Sequence, residues 1–277
     1  MKHLKVMGLC LAAFALAAIG AGSAVAAVTP EVGRCVAKAG GKYKDGACTE
    51  KAGKAASEKK FEFLKGAEKV GWKSAGGESV LETEEKDQIT CKSQSAVGKW
   101  DLDSGKITEV ESAVSTFAGC EFGVLKVKCQ NNGVEESGVI KVNAVKGPLG
   151  YISGEKTAKP VIGQSLTPET GKFFAEFECG KGVLLSKVRG TESTVEGRKG
   201  GKCLISQEEV ANKMTETFTS HFKGAEGKPG HQEQQFFQPA TSPYCNLESN
   251  ANGGPYEKGT ETLTTTLTNE EALEIKA

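Results

Sequence analysis

Apolar and polar positions alternate along much of this chain with a period of two, the mark of half-buried strands. From residue 77 onward, 79–83, 88–92, 99–102 and 107–117 read as strands separated by charged or glycine turns. In 123–129, Leu125, Val127 and Cys129 share one face with lysines opposite, and 138–144 nearly repeats that pattern. The loop between them, beginning Asn131-Asn132-Gly133, suits an antiparallel hairpin. The clearest alternation is in 173–179, where Phe173, Ala175, Phe177 and Cys179 oppose Glu176 and Glu178. Strands are expected again at 183–188, 262–268 and 273–276. Met214, Phe218 and Phe222 recur every four residues, which fits helix or strand; the β-branched and aromatic run around Phe218 favours a strand over 215–222. Gly147-Pro148 and 167–171 carry turn signals, and 224–258 is polar and turn-rich. Many short strands without a long helical period predict an all-β fold, an antiparallel sandwich or open barrel with disulfides. Cys91, Trp100 and Cys179 resemble the buried Cys–Trp–Cys set of immunoglobulin domains in kind, though the two cysteines are spaced more widely, so only the architecture carries over.

Ahead of that β region the chain divides into three pieces. Residues 1–26 have the parts of an export signal: Lys2 and Lys5, an apolar run, and small residues at Ala24-Val25-Ala26, with cleavage expected after Ala26. An uncleaved anchor is the competing reading, because 6–28 is uncharged and long enough to span a bilayer. Residues 27–52 form a small unit around Cys35 and Cys48, and 53–76 is polar and charged with Phe61, Phe63, Leu64 and Trp72 interspersed. We read 53–76 as a linker with aromatic anchors; a short helix over 55–60 is an option, marginal on its own. The β domain then occupies 77–277.

Charge changes the picture by exclusion. The 35 basic residues balance 35 acidic ones, and loss of the signal removes two lysines and no acid. A near-neutral chain is not a nucleic-acid binder running on bulk positive charge. Balanced charge also argues against wholesale disorder. After signal cleavage no membrane span is expected, which places the protein outside the cell or on its surface.

Cysteine use points the same way. Of nine cysteines Cys10 leaves with the signal; the even set left over in an exported chain reads as disulfides. Zinc is disfavoured because no Cys-x-x-Cys occurs and only His221 and His231 follow the signal. Cys35 and Cys48 flank a Gly- and Lys-rich turn and pair locally, and Cys120 and Cys129 close a short loop through Gly123. Loops this short stabilise by roughly 2–3 kcal/mol each when unstrained. Alternation turns Cys91 and Cys179 into a core, as an inter-sheet bridge, and Cys203 with Cys245 follows by elimination.

A resemblance emerges from the order Arg34-Cys35, Gly40-Gly41-Lys42-Tyr43, Cys48, Leu81-Glu82-Thr83, Ile89-Thr90-Cys91, Phe117-Ala118-Gly119-Cys120, Leu149-Gly150-Tyr151-Ile152 and the segment from Phe174 to Gly180. It is similar to a group of uncharacterised exported, cysteine-containing proteins in actinobacterial genomes, over most of the chain beyond the signal. The resemblance implies export and this cysteine spacing. It implies no activity, ligand or fold.

The search for chemistry returns little. A Ser–His–Asp triad needs a positioned base, but His231 sits in a polar loop and His221 should face outward opposite Phe218 and Phe222. Glu176 and Glu178 share a strand face and are the least-bad acid pair for glycan or ester hydrolysis, but with so many acids in the chain a solvated sheet face is the better reading. Asp101-Leu102-Asp103-Ser104-Gly105 begins like a calcium loop but lacks the later ligands, so a hairpin turn is the better reading. The basic stretch from Lys181 to Lys202 is interrupted by Glu192 and Glu196 and reads as a solvated loop, with contact to an anionic cell-wall polymer as the alternative. No phosphate loop, dinucleotide fingerprint or metalloprotease helix is present. No catalytic, cofactor or metal residue is therefore assigned, and no cofactor is expected. The expectation is a secreted, non-catalytic binding or structural protein, its partner unidentified, with a cell-envelope or extracellular polymer as one candidate. The alternatives are a secreted hydrolase using the Glu176/Glu178 pair and a protease inhibitor presenting the Cys35–Cys48 loop.

Overall fold

The computed structural model describes residues 30–276 apart from 66–68, 104–105, 124, 136, 155–156, 158, 196, 210–213, 236 and 238–242. The segment read as an export signal lies outside the described residues. In chain order the strands are β1 (Glu31–Ala37), β2 (Phe61–Lys65), β3 (Lys69–Gly76), β4 (Ser79–Thr83), β5 (Gln88–Cys91) and β6 (Ser93–Asp103). Next come β7 (Lys106–Ala118), β8 (Glu121–Phe122), β9 (Val127–Asn131), β10 (Val139–Lys141), β11 (Val145–Ser153) and β12 (Val161–Pro168). The last are β13 (Phe173–Cys179), β14 (Leu184–Gly190), β15 (Leu204–Glu208), β16 (Thr215–Phe222), β17 (Leu247–Ala251) and β18 (Tyr256–Lys276). A single 3-10 turn, Ala56–Glu58, stands where a short helix was an option. No helix among the described residues is long and apolar enough to cross a membrane.

The expected all-β, antiparallel, disulfide-bridged architecture is present, and its pairings run round two rings. One passes from β18 through β3, β6, β7, β11, β12, β15 and β16 back to β18. The other passes from β18 through β4, β5, β8, β9, β13, β14 and β17 back to β18. The 21-residue β18 serves both, its first part pairing with β4 and its later part with β3. Brief breaks at Gly77-Glu78, Lys92 and Gly119-Cys120 carry β3 into β4, β5 into β6 and β7 into β8. The rings therefore follow one another along shared ribbons. Pairing strands all the way round satisfies backbone groups that an open sheet would leave at its edges.

Residue pattern explains which way each ribbon faces. Along β18, Leu263, Thr265, Leu267 and Asn269 are buried while Thr264, Thr266, Thr268 and Glu270 are exposed, as period-two alternation of β-branched residues demands. The first ring is filled by Trp100, Phe218, Leu273, Val110 and Ile162. The Trp100 indole donates to Asn269 Oδ1 at 2.7 Å and meets Phe218 edge-on at 6.0 Å. The N-terminal unit docks where β18 ends: β1 pairs with β18, Arg34 meets Glu271 at 2.6 Å, and Lys276 donates to the Cys48 carbonyl.

Three expectations need correction. Residues 53–76 are no linker: they supply β2, paired with β1, and β3, which sits between β18 and β6 inside the first ring. Gly147-Pro148 is no turn either but lies within β11, at a shift in register. A Cβ on Gly147 would stand 1.6 Å from the Ser165 carbonyl oxygen, so glycine is required by close approach of β12. Finally, β9 and β10 do not pair with each other; β9 pairs with β8 and β13, and β10 with β7. The Asn131 side chain spans the gap, accepting from Lys141 N and donating to the carbonyls of Lys141 and Glu176.

The disulfides are corrected in part. Cys35–Cys48 and Cys203–Cys245 form as expected, but Cys91 bonds to Cys120 and Cys129 to Cys179. The inward direction of Cys91 and Cys179 holds, since both are buried. Their partners are set by register: Cys179 lies directly opposite Cys129, while the pairing of Thr90 with Glu121 between β5 and β8 brings the adjoining Cys91 and Cys120 together. Cys120 and Cys129 are joined by a backbone hydrogen bond instead.

Candidate functional site

Side chains facing inward from both rings leave an interior cavity of about 150 Å³. Its walls are mainly apolar, with Leu263 and Leu267 from β18, Phe177 from β13, Phe222 from β16, Leu166 from β12 and Leu204 from β15. Trp72 forms part of the wall because Gly98 lies opposite it: a Cβ there would come within 2.3 Å of the indole ring. A space of this size accommodates a benzene-sized group.

Polar atoms are set into that wall without partners. Gln164 and Gln94 are only 5% and 6% exposed, yet Gln164 Nε2 and Gln94 Oε1 have no hydrogen-bond partner. Trp72 Nε1 is likewise unpartnered. Buried polar groups in folded proteins are normally satisfied, so a donor and an acceptor left open on one cavity mark positions that a water or a ligand atom would complete.

Glu261 is the one ionisable side chain on the described lining. Inward alternation along β18, from Glu261 to Leu263 and Thr265, directs it there. Its backbone is clamped by Gln232, whose Oε1 accepts from Glu261 N and from the Thr260 hydroxyl, while Nε2 donates to the Glu261 carbonyl. Asn246, fully buried, holds that loop in turn through Gly230, Gly259 and the Gln232 amide. The Glu261 carboxyl has no partner among the described residues, and burial pushes it up to about 7. Glu261 is itself half-buried, whereas Glu208, fully buried beside the same wall, is satisfied, accepting from the Ser206 and Ser220 hydroxyls. Burial raises it too, against those hydrogen bonds and the nearby His221.

A smaller recess of about 50 Å³ adjoins the second ring and shares Leu81 and Ile89 with the cavity. Asp87 and Glu257 line it. Burial, and then the neighbouring Glu85, Asp87 and Glu84, raise Glu257. Lys258 and His231 both turn to Glu84, at 3.4 and 3.3 Å.

The groups that the sequence offered for chemistry lie elsewhere. Glu176 and Glu178 stand on the face of β13 opposite the cavity-lining Ala175 and Phe177, and Glu176 pairs with Lys187 at 2.7 Å. His221 bonds to Glu209 and Thr264. In the basic stretch, Arg189 is tied to Glu248 and Glu192 and covers the Tyr256 ring. β6 ends at Asp103 and β7 begins at Lys106, with Ser104 and Gly105 outside the described residues. No cluster of acids, histidines or cysteines able to hold a metal occurs among the described residues. The sequence reading missed the cavity and every residue on it that is polar; the one legible signal is the inward phase of Glu261 in the alternation of β18. Comparison of this chain with family models, curated proteins and solved structures found no match.

Proposed function

We propose that this is a secreted, non-catalytic binding protein that carries a small, largely apolar molecule inside its strand rings. The observation that supports the reading is the cavity of about 150 Å³, apolar in most of its wall and bearing unpartnered polar atoms. Apolar walls supply affinity by removing ligand surface from water, and a few placed polar groups supply orientation. Four disulfides suit a protein that works in an oxidising, extracellular setting.

Toluene tests the binding half. Titration into labelled protein should give saturable shifts at the methyls of Leu263 and Leu267, and Ala175→Leu, which fills the wall, should abolish them. Absence of saturable binding by toluene and by its polar analogues would sink the reading. Export is tested separately: protein recovered from culture medium should begin at Ala27.

A further inference from the structure

We propose that the molecule held by this cavity is an organic cation, a primary amine on a compact apolar body, with its ammonium group seated on the Glu261 carboxylate. The inference rests on the binding reading above and names the ligand class. Three arrangements converge on it.

The first is the wall itself. Among the described lining residues Glu261 alone carries a formal charge, and the rest are aliphatic, aromatic, Ser, Thr, Gln or disulfide-bonded Cys. Among the described residues no cation is supplied to it, although cations occur on the same side: Lys258 and His231 both go to Glu84. A carboxylate facing an apolar space without a counter-ion is costly, and an ammonium brought in by a ligand removes that cost.

The second is the support behind Glu261. Gln232 uses both ends of its amide on the Glu261 backbone, accepts from the Thr260 hydroxyl as well, and leaves the carboxyl untouched. The strand is thus held in register while the acid stays available. Elsewhere on the lining, Trp72 Nε1, Gln94 Oε1 and Gln164 Nε2 also remain open, but Trp72 lies opposite Asn269, eight residues along β18 from Glu261, so the carboxyl is the anchor of the site.

The third is the neighbouring recess. It shares Leu81 and Ile89 with the cavity and is lined by Asp87 and Glu257, with Glu84 and Glu85 nearby. Acids outnumber the cations Lys258 and His231 around it, which favours a cation over an anion on this side of the wall.

The groups around Glu261 leave it as the titrating partner. From β4 the adjacent inward residue is Leu81, from β17 Leu247 and from β16 Phe222. The charged residues of these strands are engaged elsewhere: Glu82 accepts from Gln88, Glu248 is held by Arg189, and His221 is held by Glu209 and Thr264. On β15 the buried Glu208, which burial also raises, is taken up by the Ser206 and Ser220 hydroxyls on the cavity wall, and the Glu261→Gln variant separates its contribution from that of Glu261. The Glu261 carboxyl is neutral below its value of about 7 and ionised above it. An alkylammonium keeps its proton well above pH 8. Amine affinity should therefore rise as pH rises through 7 and then level.

Calorimetry with benzylamine and its neutral analogue benzyl alcohol decides the matter. At pH 8 the wild-type chain should prefer benzylamine by about tenfold, the worth of one charge-assisted contact. Glu261→Gln should erase the preference and retain benzyl alcohol binding. A pH series on the wild type serves even if that variant fails to fold: benzylamine affinity should increase from pH 5.5 to pH 8 while that of benzyl alcohol stays level. Equal binding of the two probes, or benzyl alcohol binding that is stronger and lost with rising pH, would overturn the cation assignment and leave the binding function standing. Binding of neither probe would overturn both.

Discussion

Glu274 is fully buried near the end of β18, and neither of its carboxylate oxygens has a hydrogen-bond partner. Burial pushes its carboxyl up to about 7, Lys276 draws it down and Asp45 reinforces the rise. In the unfolded chain a glutamate titrates near 4.3. Between about pH 4.5 and 7 the native state holds a proton that the unfolded state has released, so stability falls as pH rises, and the whole penalty is present above 7. Glu274→Gln should therefore raise the melting temperature at pH 8 and leave it nearly unchanged at pH 4, a differential on the order of 3 kcal/mol. Asp45 behaves in the opposite sense. Burial works against its charge, but amides of Glu50, Thr49 and Ala47 and the Thr49 hydroxyl all donate to it and hold it at about 2. Its contribution is complete above the unfolded value and is lost as pH falls through 2. Asp45→Ala should speed hydrogen exchange at the Thr49 and Glu50 amides without disturbing β11 or β12. Both acids were plain charged residues in the sequence, because their partners, or lack of partners, depend on which loops come near.

At the scale of elements, two features were misread for the same reason: the neighbour, and not the segment, decides. Gly147 and Pro148 look like a turn, yet they sit in a strand whose backbone presses on Ser165. Gly147→Ala should cost about 2–4 kcal/mol by denaturant titration. Gly77→Ala, where an added Cβ meets nothing within 4 Å, should be neutral or mildly stabilising. The cysteines repeat the lesson. Their inward direction follows from alternation, but Cys179 meets Cys129 because β13 pairs with β9. Peptide mapping without reductant should recover Cys91 with Cys120 and Cys129 with Cys179. Removing the latter pair should cost about 2–4 kcal/mol. β3 was missed because its inward residues are Val70, Trp72 and Ser74 among Lys and Gly. One inward serine is enough to make a wall strand look like linker.

That serine belongs to a pattern spread over the whole molecule. Ser79, Gln94, Ser115, Gln164, Ser206 and Ser220 also face the cavity. A packed core would demand apolar residues at those positions, whereas a wall around a space tolerates polar ones, and alternation reads them as exposed. The sequence by itself determined the all-β class, the phase of strands such as β5, β13 and β16, and the cysteines that belong inside. These follow from local rules of side-chain direction, which need no knowledge of neighbours. Ring closure, disulfide partners, the cavity and the isolation of Glu261 were decided only in three dimensions. Each depends on strand register between segments distant in the chain, and register is set by the sum of all pairings around the two rings.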